Sequence, residues 1–298
     1  MTDAAHTRRE MRLDRFASLW IFHPLARVRR ESLRSRVPIL MYHGVREGTS
    51  AVHPYYETST SPLIFAGHMN YLHAKGYKVL DLGAAICSMG SGTTNEKRAV
   101  ITFDDGYRDF YRNAYPTLKK FGFTATVFLP TGFISEPRTT SQGKEYMTWS
   151  EVRELAAEGI RFGSHTVTHP QLTNLSEQSV QKELHDSKKT IEDELGSAVT
   201  SFAYPFAFPQ SDAAFVRSLR NLLETEGYED GVCTAIGTAS NEDDRLFLPR
   251  LPVNSYDDLS LFQAKLEAGY DWLRGPQNLS SMAKRLHRPR GGQAPATS

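Results

Sequence analysis

Two stretches of the chain carry side chains that could bind a metal ion and move a proton. Residues 102–106 read Thr-Phe-Asp-Asp-Gly and place two carboxylates, Asp104 and Asp105, side by side before a glycine. His165 and His169 follow later, and their spacing predicts that they lie on one side of a helical turn. Neutral imidazole is a good ligand for zinc and its neighbours among the divalent metals. Two histidines and one carboxylate would therefore make a three-ligand set.

Such a ligand set is suited to hydrolysis. A catalytic zinc site uses three protein ligands and keeps a position open for water or substrate. The metal polarises a carbonyl and lowers the pKa of water, and the second aspartate is placed to accept a proton as general base. Each motif alone has a simpler interpretation, because Asp-Asp-Gly often forms a surface turn and two histidines can lie on a solvated helix. Their combination is what indicates a site.

The elements that must position these side chains follow from the hydrophobic pattern. Short β-branched or apolar runs predict seven strands, at residues 37–43, 78–82, 99–105, 125–130, 161–166, 201–206 and 231–235. Helical stretches separate most of them, beginning near residues 62, 110, 150, 176 and 212 and followed by Gly76, Gly122, Gly159, Gly196 and Gly227. This alternation predicts an α/β fold with a parallel sheet and helices outside, either closed or open.

The predicted topology brings the two motifs together. In parallel α/β folds the strand ends and the loops after them open on one face. The third predicted strand ends at the aspartate pair, the fifth at His165 and the sixth at residues 202–206. We therefore expect all three segments on the same face of the sheet.

Composition narrows the possible partners. The 298 residues include 35 Lys and Arg against 34 Asp and Glu, so no electrostatic feature suggests a nucleic-acid partner. A polar, uncharged substrate fits better. Cys87 and Cys233 form no C-x-x-C pair, and we interpret both as small core residues.

The amino-terminal stretch is basic, but its apolar part, residues 16–22, is short and is followed by His23-Pro24 and more arginines. We interpret it as containing no cleavable signal and no transmembrane segment, and therefore expect a cytoplasmic protein, with an extracellular or membrane-associated location as the alternatives. Residues 27–36 are either a solvated surface or a basic amphipathic helix in weak peripheral contact with a membrane or a partner.

Several segments resemble the polysaccharide deacetylase family, also called the NodB-homology domain or carbohydrate esterase family 4, in its exopolysaccharide-type branch. The similar segments are residues 37–43, 99–107, 147–149, 164–170 and 202–206, within a region of about residues 35–255. The resemblance implies a distorted (β/α) barrel of about seven parallel strands and a metal-dependent N-deacetylase of poly- or oligosaccharides with N-acetylated amino sugars. Together with the composition of the two ends, which are basic at the start and rich in Arg, Pro, Gly, Gln and Ser at the finish, this predicts a basic extension (residues 1–35), a catalytic domain (36–275) and a disordered tail (276–298).

The resemblance also implies roles for individual residues. Asp104 is the catalytic base, Asp105, His165 and His169 are the ligands of one divalent ion, with zinc expected, and the backbone N–H of Phe206 is the oxyanion donor.

Two positions depart from the family pattern. Ala203 stands where many members have an arginine that orients the catalytic aspartate, and we predict that Arg250 replaces it and pairs with Asp104. The family's late Leu-x-His element has no match, so the proton donor is unassigned. His43, at the end of the first predicted strand, is the best substitute, although it could equally be a buried histidine bonded to a loop carbonyl.

Other functions stay open on the sequence alone. Tyr107, Trp149 and Tyr204 could line a sugar groove or pack in the core. A related metal-dependent amidohydrolase acting on a smaller amide would have the same metal and base. A catalytically silent carbohydrate-binding barrel is the third possibility, but it would not need a base beside three ligands.

Overall fold

The main sheet of the computed structural model is parallel, and seven of its strands close into a barrel. The structure describes residues 13–28, 35–48, 57–89, 96–141 and 143–277. In these ranges the sheet has eight strands: β1 (Ile39–Tyr42), β2 (Tyr77–Leu80), β3 (Lys97–Phe103), β4 (Thr126–Leu129), β5 (Arg161–Ser164), β6 (Ser201–Ala203), β7 (Asp230–Ile236) and β8 (Leu248–Pro252). Neighbours run β1-β8-β7-β6-β5-β4-β3, and the pairing of β1 with β3 closes the ring. The expected (β/α) barrel is confirmed.

The set of strands that form the closed barrel differs from the prediction. The run at residues 78–82 forms β2, which pairs only with β3 and is not part of the ring. The seventh ring strand is instead β8, which pairs with both β1 and β7. Its two prolines, Pro249 and Pro252, lack the N–H that residues of a central strand donate. The sequence pattern therefore does not predict a central strand here. This matters for the site because β8 carries Arg250.

Two shorter pairs of strands lie outside this sheet. Gly44–Val45 pairs in parallel with Ser59–Thr60, and Thr140–Ser141 pairs antiparallel with Lys144–Glu145.

Helices surround the barrel, and the predicted starts and glycine stops are confirmed. They are α1 (Leu13–Ala17), α2 (His23–Val28), α3 (Pro62–Ala74), α4 (Leu82–Met89), α5 (Tyr115–Phe121), α6 (Trp149–Ala157), α7 (Glu177–Leu195), α8 (Ala213–Thr225) and α9 (Leu259–Leu266). Single π turns, Ser18–Phe22 and Phe110–Ala114, precede α2 and α5, and short 3₁₀ turns occur at Thr131–Phe133, Leu172–Asn174 and Asp271–Leu273.

Helix α7 shows how the sequence specifies these elements. The Ser176 side chain accepts a hydrogen bond from the N–H of Ser179 at its start, and Gly196 ends it in the left-handed conformation with φ 64°. Val180, Leu184 and Ile191 are buried along one face. This buried face packs α7 against the barrel, next to the loop of residues 165–169 that follows β5.

Close packing between strands next to the site depends on one glycine. A Cβ atom at Gly163 would lie 2.7 Å from the Phe128 ring and 2.8 Å from the carbonyl oxygen of Ser201. Only glycine allows β5 to lie this near its neighbours, two residues before His165.

The two cysteines differ in their exposure to solvent. Cys233 is buried as predicted, but the prediction is wrong for Cys87, which is exposed. Helix α4 buries Leu82, Ala85 and Met89, and that spacing leaves Cys87 on another side of the helix.

The amino-terminal segment is partly structured. Residues 13–28 form α1, a π turn and α2, and they pack on the end of the chain: the Phe22 ring stacks on Trp272 with centroids 4.9 Å apart. Most of the predicted carboxyl-terminal tail, residues 278–298, lies outside the described residues, as does the centre of the possible amphipathic helix at residues 27–36. Among the described helices, none combines the length and apolar character needed to cross a membrane.

Candidate metal and catalytic centre

The three predicted ligands converge at the carboxyl ends of β3 and β5. One ligand atom each from Asp105, His165 and His169 lies within 4.8 Å of the others. The Nε2 atoms of His165 and His169 are 3.8 and 3.5 Å from Oδ1 of Asp105. Tetrahedral ligands with bonds of about 2.1 Å are about 3.4 Å apart, so these residues fit one divalent ion with only a small adjustment.

The histidines do not lie on a helical turn, contrary to the prediction. His165 follows β5 directly, and the loop after it turns through left-handed backbone at Thr166 (φ 69°) and His169 (φ 53°). The Thr166 hydroxyl accepts a hydrogen bond from the N–H of His169 at 3.0 Å, and the N–H of Thr166 donates to Ser164 Oγ at 3.2 Å. This folded loop, rather than helical spacing, brings the two rings together.

Glu183 on α7 holds the middle of this loop. Its carboxylate accepts hydrogen bonds from the N–H groups of Val167 and Thr168 at 2.7 and 2.9 Å and from the Thr168 hydroxyl at 2.7 Å. Bonds to an ionised acceptor are stronger than neutral ones. Sequence reasoning missed Glu183, because nothing in the pattern of α7 says which of its acids faces the loop.

A backbone carbonyl fixes the orientation of His165. Its Nδ1 lies 2.8 Å from the carbonyl oxygen of Ala203. A carbonyl can only accept, so Nδ1 carries the proton and Nε2 is left as the free ligand atom. Ala203 thus contributes through its backbone at the position where the family arginine is missing.

His169 is neutral at pH 7. Burial and then the neighbouring His165 lower the pKa of His169 to about 4. Its ring packs against that of Phe206, with centroids 4.5 Å apart. A neutral imidazole is the form that binds a metal.

Arg250 forms a bidentate ion pair with Asp104 inside the barrel. Its Nη1 and Nη2 donate to Oδ1 and Oδ2 of Asp104, each at 2.7 Å. Arg250 is 0% exposed and Asp104 3% exposed. The predicted pairing is therefore present, in the parallel geometry that only a guanidinium can give.

The rest of the guanidinium is also bonded. Nε donates to the carbonyl oxygen of Cys233 at 3.1 Å, and Nη1 also donates to the Thr102 hydroxyl at 3.2 Å. That hydroxyl in turn donates to the carbonyl oxygen of Leu40 at 2.8 Å. Arg250 is thus bonded to β7 and β3 directly and to β1 through Thr102, and it fixes the carboxylate.

The ion pair sets the charge of Asp104. Burial is the largest single influence and by itself would raise the pKa of this carboxyl, but the charge of Arg250, the neighbouring His165, the hydrogen bonds from Arg250 and the nearby His43 together hold the pKa well below its usual range. Asp104 is consequently ionised at neutral pH and able to accept a proton.

Unusual backbone is concentrated at this site. Five non-glycine residues in the described ranges have positive φ, and four of them are Asp105, Thr166, His169 and Phe206. Such conformations are uncommon, and they persist where the surrounding structure over-determines them. Two of the four, Asp105 and His169, are candidate metal ligands.

The other predicted residues lie nearby. His43 follows β1, and its Nε2 is 4.0 Å from Oδ2 of Asp104. Tyr107, Trp149 and Tyr204 are all buried in hydrophobic clusters, so they pack in the core rather than present a face to a sugar. The exposed aromatic ring at the site is instead that of Phe206, which is 48% exposed.

We predict that the purified protein contains about one divalent ion per chain, because two imidazoles and a carboxylate are preorganised to bind it. Replacing His165 and His169 together by alanine should remove the ion, as measured by elemental analysis. His185→Ala, on the exposed side of α7, is the control and should keep it. Stoichiometric metal in the double variant would show that the ligands are elsewhere.

Arg250→Lys should lower turnover on the order of 10²-fold while metal content stays unchanged, because a lysine cannot hold both carboxylate oxygens in one plane. The readouts are acetate release and elemental analysis of the same sample. Arg153→Lys, at an exposed ion pair with Glu194, is the matched control and should be neutral. Equal activities of the two variants would contradict a positioning role for Arg250.

The chain is similar to known proteins of one family. A family model described as polysaccharide deacetylase matches residues 91–224. YxkH of Bacillus subtilis (strain 168), which is named after the same activity, is 34% identical over 235 residues, covering 78% of this chain and 77% of YxkH. The poly-beta-1,6-N-acetyl-D-glucosamine N-deacetylase of Staphylococcus aureus (strain MSSA476) is 26% identical over 191 residues, covering 58% of this chain and 65% of that protein.

A solved structure agrees with these sequence matches. The deacetylase PplD of Streptococcus pyogenes, solved in complex with acetate, superposes with a TM-score of 0.67 at 25% identity, covering 78% of this chain and 98% of PplD. Because the match to YxkH extends over most of both chains and the fold is that of PplD, the chain belongs to the polysaccharide deacetylase family and is a hydrolase.

Proposed function

We propose that the protein is a metal-dependent N-deacetylase that hydrolyses acetamido groups of a poly- or oligosaccharide containing N-acetylated amino sugars. The observation that carries this proposal is the ionised Asp104, held by Arg250 directly beside the ligand set of Asp105, His165 and His169. A general base next to three metal ligands is the arrangement that metal-assisted hydrolysis of an amide requires.

Asp104 acts as the general base in this proposal. The chemistry that a bound divalent ion, with zinc expected, supplies at such a site is polarisation of the amide carbonyl and acidification of water. Asp104 accepts the proton of the attacking water, and Arg250 keeps its carboxylate in one orientation while this occurs. Because the hydrogen bonds of Arg250 within the described part of the chain go to the aspartate and to groups of the barrel wall, its role is to position the base.

The backbone N–H of Phe206 would donate to the oxygen of the amide as negative charge develops on it. The left-handed backbone at Phe206 and the packing of its ring on His169 support this, since both fix the residue beside the ligands. A preorganised N–H donor of this kind is worth about 2.7–4 kcal/mol in other hydrolases. The half-exposed Phe206 ring is also available to pack on a sugar.

His43 is the proton donor to the leaving amine in this proposal. Its position 4.0 Å from Asp104 would let it receive the proton that the aspartate has taken from water. The nitrogen of the amide leaves as a neutral amine only if it is protonated, so some group near the base must supply this proton.

The substrate class rests on the relatives and on the chemistry of the site. The related S. aureus protein is named for deacetylation of poly-beta-1,6-N-acetyl-D-glucosamine. The near-neutral net charge of the present chain also suits an uncharged polymer. A smaller amide would need the same base and ligands, and only a comparison of substrates separates the two.

Asp104→Asn should reduce kcat by about 10²–10⁴ while the metal is retained, because the amide cannot accept the proton but keeps the shape of the side chain. Acetate release from chitooligosaccharides, poly-N-acetylglucosamine and peptidoglycan fragments measures it. The control is Asp109→Asn. The Asp109 carboxylate accepts a hydrogen bond from the N–H of Val45 and has no part in the proposed reaction, so this variant should stay active. Wild-type rates in Asp104→Asn would place the base elsewhere, and acetate release from none of these sugars would contradict the substrate class.

His43→Gln should lower turnover about 10²-fold without loss of metal, because glutamine cannot carry the proton to the amine. His185→Gln, on α7, is the matched control. Removal of residues 278–298, which include His287, should leave turnover unchanged. Loss of activity on this truncation, with the fold intact by circular dichroism and His43→Gln still active, would reject His43 as the donor.

A further inference from the structure

The amino-terminal helical segment, residues 13–28, has an inverted polarity. Helices packed on a protein usually bury their apolar side chains and expose polar ones. Here six large apolar side chains are exposed by 47–87%: Leu13, Phe16, Trp20, Ile21, Leu25 and Val28. They make up most of the large apolar side chains that are exposed in the described ranges.

Polar contacts hold the segment in this orientation. Asp14 accepts a hydrogen bond from the Tyr270 hydroxyl at 2.9 Å, and the fully buried Ser18 accepts one from Nε1 of Trp272 at 3.0 Å. His23 lies 2.8 Å from the carboxylate of Glu267. These polar contacts, together with the stacking of Phe22 on Trp272, dock one side of the segment on the barrel domain and leave its other side, which is mostly apolar, directed outward.

An apolar surface of this extent needs a partner. Single exposed apolar residues are normal on soluble proteins, but a contiguous patch marks a surface that binds a protein or a membrane. Apart from the adjacent pair Trp20 and Ile21, successive exposed positions are three or four residues apart, as on one broad side of a helix. Tryptophan is the side chain most typical of the boundary between lipid and water.

The charge of the segment identifies the partner. Residues 1–36 contain nine arginines, no lysine and four acidic residues, whereas the remaining chain has 26 basic and 30 acidic residues. Along the sequence, the excess of basic residues is thus concentrated in and beside this segment. The two arginines of the segment lie next to acids, Arg15 at 2.5 Å from Asp258 and Arg27 at 4.0 Å from Glu267, and 67% of the Arg27 side chain remains accessible. A second copy of the chain would bring the same positive charge to the contact, whereas an anionic lipid surface would neutralise it.

We propose that residues 13–28 bind the protein to the surface of a membrane that contains anionic lipids, with the apolar side chains inserted at the level of the headgroups. The segment lies in the plane of the interface and does not cross the bilayer, in keeping with its mixed polar and apolar sides. This inference is independent of the proposed reaction, because none of these residues contacts the catalytic centre.

The test is co-sedimentation of the full-length protein with vesicles of phosphatidylglycerol and phosphatidylcholine. We expect binding that weakens as salt is added and is weaker still on phosphatidylcholine alone. The triple variant Phe16→Ser, Trp20→Ser, Leu25→Ser should bind about tenfold or more weakly. Leu63→Ser, which removes an equally exposed side chain from α3, is the matched control and should bind normally.

Tryptophan fluorescence gives a second readout that does not depend on the triple variant. Vesicles should shift the emission of the wild-type protein to shorter wavelength, and the shift should disappear in Trp20→Phe, which retains Trp149 and Trp272. Unchanged acetate release from a soluble oligosaccharide and unchanged circular dichroism show that the variants are folded. Absence of vesicle binding by the wild-type protein, or equal binding by the triple variant, would overturn the proposal. So would a wild-type dimer that dissociates in the triple variant without any binding to vesicles, which would make the surface a contact between copies.

Discussion

The buried ion pair between Asp104 and Arg250 is the interaction on which the candidate site depends. Moving two charges out of water is costly, and such a pair is tolerated only when its geometry is good and its other hydrogen bonds are satisfied. Both conditions hold here, since each carboxylate oxygen receives a guanidinium N–H at 2.7 Å and Nε is bonded to Cys233. Removing one partner from such a pair typically costs about 3–5 kcal/mol of stability. The pair is therefore part of the barrel interior as well as of the site, and the orientation of the base is as rigid as the strands that carry it.

The two candidate histidine ligands are fixed in a different way, by loop backbone rather than by the barrel interior. Left-handed residues, the Thr166 hydroxyl and the Glu183 carboxylate shape the loop that carries His165 and His169. The carbonyl of Ala203 then sets which nitrogen of His165 is free. The candidate base is thus supported by β8 and the two candidate histidine ligands by α7 and β6, while Asp105 adjoins the base in the loop after β3. A substitution can therefore disturb the base without releasing the metal, which is what makes the two roles separable by experiment.

Much of this arrangement could be predicted from the sequence, and the failures have identifiable causes. Strand ends and glycine stops gave the parallel fold, and the need to orient a base led to Arg250. The ring strand β8 is hard to recognise in the sequence because prolines interrupt its hydrogen-bonding pattern. Residues 78–82 have the pattern of a strand, but hydrophobic periodicity does not distinguish a barrel strand from one outside the barrel. The spacing of His165 and His169 suggested a helix, but the positive φ values of a non-glycine loop have no sequence signal. Glu183 and the outward apolar side of residues 13–28 depend on tertiary contacts, which local patterns do not encode.

The central claim is that Arg250 serves catalysis only by holding Asp104. Combining Arg250→Lys with Asp104→Asn in a cycle of kcat/KM measurements tests it most directly, because residues that act as a unit have strongly non-additive effects. If the claim holds, Arg250→Lys lowers kcat/KM on the order of 10²-fold when Asp104 is present and less than about threefold once Asp104 is asparagine. Equal fractional losses in the two backgrounds would contradict the claim and show that Arg250 acts on the reaction independently of the aspartate.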